Sequence, residues 1–186
     1  MKIATFRFDA TPPQGHGCCG GWITPVESVA DALEAVGMIL QPDGEPPVVL
    51  CVLDWTGLAN DAYADLQAAV AAAAGTTAQR VTLHVLHPHN APMACSATER
   101  LLLELAGRPL AFGEHPLLLP WFEEIIGVAA AATTEAMGRL QPCTHVACGM
   151  AEVKEVASNR RVGIGPDGVI DRSDSPSHLH PAGASS

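Results

Sequence analysis

The hexapeptide His87-Pro88-His89-Asn90-Ala91-Pro92 places two imidazoles two residues apart, directly after the apolar run from Val81 to Leu86. On extended backbone, residues i and i+2 point to the same face, so both rings can present nitrogens to one volume of a few ångströms. That arrangement suits a divalent metal, because a catalytic zinc takes three protein ligands and lowers the pKa of its remaining water to about 7. The second ring has other uses, as a proton shuttle or as a donor to a developing oxyanion. Asp54, which ends the apolar run Val48 to Leu53, is a third candidate, as a carboxylate that orients an imidazole. An HxH pair also arises by chance in strands, its neutral rings satisfied by backbone groups, so position in the fold has to decide between a metal and a structural role.

The segment joining these residues reads as strand, helix, strand. Pro47 to Leu53 is an apolar strand stopped at Asp54, followed by Trp55-Thr56-Gly57. Asn60 or Asp61 then caps an alanine-rich helix of about 14 residues with Leu66, Val70 and Ala73 on one face, and Gly75 ends it. Arg80 to Leu86 is the next strand. A strand, helix, strand unit makes its two strands parallel, so their carboxyl ends share the sheet edge outside which ligands bind. Asp54, His87 and His89 all fall on that edge. The expected fold class is α/β, a mixed sheet with a parallel βαβ unit and helices packed on it.

The flanking sequence fills in the frame. Ile3 to Asp9 alternates, with Ala4, Phe6 and Phe8 on one face. Residues 11 to 22, rich in glycine and proline, predict a long loop, either folded over the site with His16 and Trp22 or running over the surface with Trp22 tucked into the core. Thr24-Pro25-Val26-Glu27 predicts the start of a short helix. Residues 33 to 40 alternate and Pro42-Asp43-Gly44 is a turn, predicting a hairpin whose second arm, apolar on both faces, is covered by helices on each side. Ser96 and Glu99 form a capping-box pair for a helix through Leu101, Leu102 and Leu105 that ends at Gly107 and packs on the sheet. Pro116 and Pro120 bracket a longer helix, with Trp121, Phe122, Ile125, Ile126 and Ala129 as core, closed at Gly138-Arg139. Residues 142 to 153 and 160 to 170 read as further strands or a strand and a hairpin. His84 and His145 are assigned structural roles in strands, and His178 and His180 a solvated position in the tail.

Bulk properties limit the function classes. A 186-residue chain that is 48 % hydrophobic, with mean hydropathy +0.20, can bury a real core. A formal charge of -10, with no basic cluster longer than Arg160-Arg161, gives no footprint for nucleic acid. No run approaches the roughly 18 apolar residues of a transmembrane helix, and the N-terminus lacks a signal-peptide core, so the expected location is cytoplasmic. The six cysteines show no CxxC spacing and are expected as free thiols.

With these residues in view, the chain resembles the N-terminal part of the catalytic domain of the neutral/alkaline, non-lysosomal ceramidase family and its bacterial relatives. The resemblance rests on Thr11-Pro12-Pro13 after the first strand, the hairpin leading to Val49-Leu50-Cys51-Val52-Leu53-Asp54, the strand running into His87-Pro88-His89-Asn90-Ala91-Pro92, and Ser158-Asn159-Arg160-Arg161 before an Asp-Gly turn. It implies a zinc-dependent amidohydrolase acting on ceramide-like or other N-acyl substrates. His87 is then the zinc ligand, His89 assists at the metal-bound water or the oxyanion, and Arg160 anchors a polar head or carboxyl product.

Two departures from the family pattern matter. Family members carry Ser-Gly-Pro or Asp-Ala-Pro where this chain has Asn90-Ala91-Pro92. Their remaining zinc ligands, a second histidine, a glutamate and a tyrosine, lie further along, so the expectation is an incomplete catalytic domain over 1–172 with a low-complexity tail over 173–186, inactive alone and weak in zinc binding. The competing readings are a non-catalytic α/β binding domain with a vestigial metal site, and histidines that are merely satisfied core groups.

Overall fold

The computed structural model describes residues 1–111 and 114–152, together with the backbone of 162–164 and 170–172. It divides into two compact units, Met1–His145 and Val146–Ser186. In chain order the elements are β1 (Lys2–Asp9), β2 (Glu34–Gln41), β3 (Val48–Leu53), β4 (Gly57–Leu58), α1 (Asn60–Ala74), β5 (Val81–Val85), β6 (Met93–Ala94), α2 (Ser96–Ala106), α3 (Leu119–Met137), β7 (Gln141–Pro142), β8 (Val162–Ile164) and β9 (Ile170–Arg172).

The alternation in β1 and β2 does what its period predicts. Ala4, Phe6 and Phe8 are buried, as are Ala35 and Ile39 on the antiparallel neighbour. Phe6 lies opposite Gly37, and a Cβ at that glycine would sit 2.0 Å from the Phe6 ring, so the aromatic side chain needs glycine across the ladder. β2 pairs antiparallel with β3, and β3 pairs parallel with β5, giving a mixed five-stranded sheet in the order β5-β3-β2-β1-β7. The α/β class and the βαβ unit are therefore as expected. Burying some two dozen apolar side chains at about 25 cal/mol per Å2 is the main favourable term holding the unit together.

α1 crosses from β3 to β5 with Leu66, Val70 and Ala74 buried, and Gly75 closes it in the left-handed region at φ 65°. α3, opened by Pro120, packs on α1 and β1 through Phe122, Ile125 and Ala129. α2 packs against α1 and buries Ser96 and Glu99, while its leucines stay exposed, Leu105 at 73 %. The three helices pack on the mixed sheet, but the opposite face of β3 is not covered as its composition suggested, for Leu50 is 40 % exposed.

Several further local expectations give way. Residues 24–33 form no helix, because the Val26 N–H donates to His16 O and Val26 O accepts from Gly15, bonds that zip the segment to the preceding loop. Trp22 is 83 % exposed and not in the core. The capping box at α2 is absent: the Ala97 N–H is taken by Asp61 from α1, and Glu99 turns inward. Among the described residues of the 142–153 stretch only Pro142 extends the sheet, pairing with β1 together with Gln141 before it, and His145 lies outside any strand. Among the described backbone of the second unit, β8 and β9 pair antiparallel. The tail 173–186 lies outside the described residues.

Candidate functional site

The parallel pair β3/β5 does not stop where the sheet stops. The Leu86 N–H donates to Leu53 O and the His87 N–H to Trp55 O, and the ladder resumes where the Thr56 N–H donates to Pro92 O and β4 pairs with β6. Between these rungs Pro88 to Ala91 bulge out as a loop held at both ends. His87 starts that loop at φ 64°, a left-handed conformation that costs a non-glycine residue about 1 kcal/mol and is concentrated at functional sites.

Thr56 is the hub of this loop. Its buried hydroxyl shares its one proton between the carbonyl oxygens of Pro88 and Ala91, and its own carbonyl accepts from His87 Nδ1 at 2.6 Å. A carbonyl can only accept, so Nδ1 carries a hydrogen, and in the neutral ring Nε2 then carries the lone pair. This is how a ligating histidine is held elsewhere, with one ring nitrogen anchored to a backbone oxygen and the other presented to the metal. His89 stands beside it, ring centroids 5.3 Å apart and nearly perpendicular, and both rings are exposed. The rings thus meet, although the turn at His87 and not an extended strand brings them together.

Asp54 lies at the same edge but turns the other way: its carboxylate accepts from the Glu34 N–H at 2.9 Å, and its own N–H donates to Glu34 O. It fastens the ends of β2 and β3 from which the histidine loop departs. Arg160 lies outside the described residues. Among the described residues, no group of three His, Cys, Asp or Glu side chains converges as a metal site. The local fit is therefore to one histidine ligand with its tautomer set, and not to a complete coordination sphere.

The glycine-rich loop of residues 11 to 22 does fold over this region, since the Cys19 N–H donates to Ala91 O at 2.8 Å. Its anchor is His16, which the sequence offered together with Trp22 for a loop folded over the site. The ring is 0 % exposed, packs edge-on against Trp121, bonds Gly17 O through Nδ1 at 2.7 Å, and accepts the Leu118 N–H at Nε2. Burial is the largest influence on it and lowers its pKa from the ordinary value. Beside it, His115 Nδ1 donates to Glu99 Oε1 at 2.7 Å, and Glu99, 1 % exposed, also accepts the Leu117 N–H. Burial works to raise the Asp61 carboxyl, but the Ala97 and Ala62 N–H groups and Arg100 outweigh it and hold it below its ordinary range, which secures the start of α2.

No sequence-family model and no curated protein matches the chain. Solved structures do: the neutral ceramidase from Pseudomonas aeruginosa superposes with a TM-score of 0.57 at 18 % identity over 76 % of this chain. A second structure, a ceramidase complexed with C2, gives 0.53 at 15 % identity over the same 76 %. This chain spans 22 % of the length of either ceramidase chain. At these identities the likeness concerns architecture, and the mixed sheet with its three helices has the fold of a fragment of a ceramidase domain.

Proposed function

We propose that this chain carries one part of the site of a metal-dependent amidohydrolase acting on an N-acyl, lipid-like substrate. The observation that supports this most is the His87 ring, held by the Thr56 carbonyl so that Nε2 presents its lone pair on a strained, exposed loop. The ceramidase-like fold is consistent with that chemistry. A zinc ion bound there would supply Lewis-acid polarisation of the scissile carbonyl.

The residues of the chain have separable tasks. His87 binds the metal through Nε2. His89, beside it, holds or moves a proton at a ring nitrogen near the reacting atoms. Asp54 acts at one remove, by tying the strand ends that carry the loop. Arg160, outside the described residues, is assigned by the resemblance alone to anchoring a polar head or a carboxyl product. The test is calorimetric titration of the purified chain with zinc. The reading predicts weak binding that falls at least about tenfold in His87→Ala, a loss of 1.4 kcal/mol or so, and equal affinity of the two proteins would overturn it.

A second reading has a specific observation behind it. Since the described residues bring no three metal-ligating side chains together, the same edge can serve as a non-catalytic binding surface. That reading predicts a small-molecule or protein ligand whose affinity is unchanged by His87→Ala and by removal of metal with a chelator.

A further inference from the structure

The cluster around buried His16 is unused by the proposed chemistry, yet it holds the loop that lies on the histidine loop. His16 can serve in only one protonation state. Gly17 O can only accept, so Nδ1 must carry hydrogen; the Leu118 N–H can only donate, so Nε2 must offer a lone pair. A second proton at Nε2 removes that acceptor and sets a cation against a backbone N–H inside the core. The contacts around the ring leave no room to turn away, for it packs on Trp121, which in turn packs on Trp55.

The same place is where two chain segments approach closely. The Gly17 N–H donates to His115 O at 3.0 Å, and a Cβ on Gly17 would lie 2.5 Å from that oxygen. His115 is fixed by Glu99 of α2, and two residues beyond Gly17 the Cys19 N–H reaches Ala91 O, inside the candidate site. A continuous set of contacts therefore runs from Glu99 through His115, Gly17 and Cys19 to Ala91.

We propose that His16, with the Glu99–His115 pair, is an acid-released latch that positions the glycine-rich loop on the His87–His89 loop. His16 is a positioning residue, neutral when the latch is closed. Proton uptake at Nε2 breaks the bond to Leu118, frees Gly17 from His115, and loosens the Cys19 contact that braces Ala91. The titratable groups near the ring act in opposite senses, since a neighbouring carboxylate would favour the protonated ring. On the segment before α3, His115 disfavours a positive charge at His16. Glu99 from α2 is committed to His115, and the neighbouring Glu114, held down to about 2 by its hydrogen bond to Arg108, is fully ionised throughout the range concerned. Trp121 and Trp55, from α3 and the end of β3, carry no charge. The consequence for metal or substrate capture rests on the reading of His87 proposed above, whereas the latch itself does not.

The test is amide hydrogen exchange between pH 7.5 and 5.5, corrected for intrinsic rates, on the full chain, on His16→Gln and on His87→Ala. Glutamine keeps a neutral acceptor but cannot titrate. In the unaltered chain, protection at the amides of Gly17, Cys19 and Leu118 is expected to fall by up to about tenfold on acidification, while the β1 amides hold. In His16→Gln those amides lose their pH response. In His87→Ala they keep it, and this separates the latch from the metal site: zinc affinity unaffected by His87→Ala overturns the function, not the latch. Should His16→Gln fail to fold, the ring 15N shifts of the unaltered chain decide. A neutral ring with hydrogen on Nδ1 at pH 7.5, protonated on acidification together with the loss of protection, upholds the latch. Hydrogen on Nε2, or protection at the three amides that ignores pH, overturns it.

Discussion

Two pairs of histidines in this molecule sit under opposite conditions. His87 and His89 are exposed on a loop with a left-handed residue at its start, and His87 spends one ring nitrogen on a backbone carbonyl and keeps the other for a ligand. His16 and His115 lie at the junction of the glycine-rich loop, α2 and α3; both nitrogens of His16 are bonded, and His115 is tied to a buried carboxylate. A histidine with every polar atom satisfied inside the core holds structure together, and one with an open nitrogen at a strained edge is available for chemistry. Burial and the accounting of ring nitrogens separate the two roles, which the residue type cannot.

The contrast breaks most readily at Glu99. Glu99→Ala leaves the His115 ring and the Leu117 N–H without their buried acceptor, and an expected loss of about 3 kcal/mol in unfolding free energy by urea titration follows from removing one partner of a buried pair. A loss below about 1 kcal/mol would mean that the cluster does not bear on stability. Thr56→Val comes next: it removes the hydroxyl that holds Pro88 and Ala91, costing about 2 kcal/mol and raising exchange at the histidine loop while the sheet amides stay protected.

The pH dependence is a smaller effect with a definite sign. Burial lowers the His16 pKa in the folded protein below its ordinary value, so the unfolded chain takes up the proton more readily. Its contribution to stability is complete above the unfolded pKa of about 6.5 and declines as pH falls below it, by at most about 1.4 kcal/mol per pH unit. Unfolding curves at pH 7.5, 6.5 and 5.5 should show that decline in the unaltered chain and a shallower one in His16→Gln. The smallest effect belongs to the exposed pair. His87→Gly relieves the left-handed strain but loses the bond to Thr56, so stability should change by less than about 0.5 kcal/mol while zinc binding disappears.

Much of the frame could be read from local pattern. Alternation marked β1 and β2, the spacing of apolar runs around an alanine-rich helix gave the parallel β3/β5 pair, and left-handed glycines closed α1 and α2. From parallel strands it followed that Asp54 and the two histidines share an edge. What escaped was non-local. Thr56 grips carbonyls more than thirty residues away, Asp61 caps a helix other than its own, and Glu99 left an expected capping box for a histidine on another segment. Val26 had a helix-start signature that cross-loop hydrogen bonds overrode. Sequence periodicity reports which face is apolar, but not which distant polar group will satisfy which buried one. One signal for His16 was available: a histidine set among glycines between two elements, where close backbone approach is possible and Gly17 proves to need it.

The central claim is that His87 Nε2 is the nitrogen offered to a metal and that those of His16 and His115 are not. Titrating zinc into the uniformly 15N-labelled chain at pH 7.5, with the imidazole nitrogens observed, tests it directly. The account predicts that His87 Nε2 shifts first, with His89 following, while the His16 ring is unmoved. A zinc response at His16 or His115 with none at His87 would contradict it.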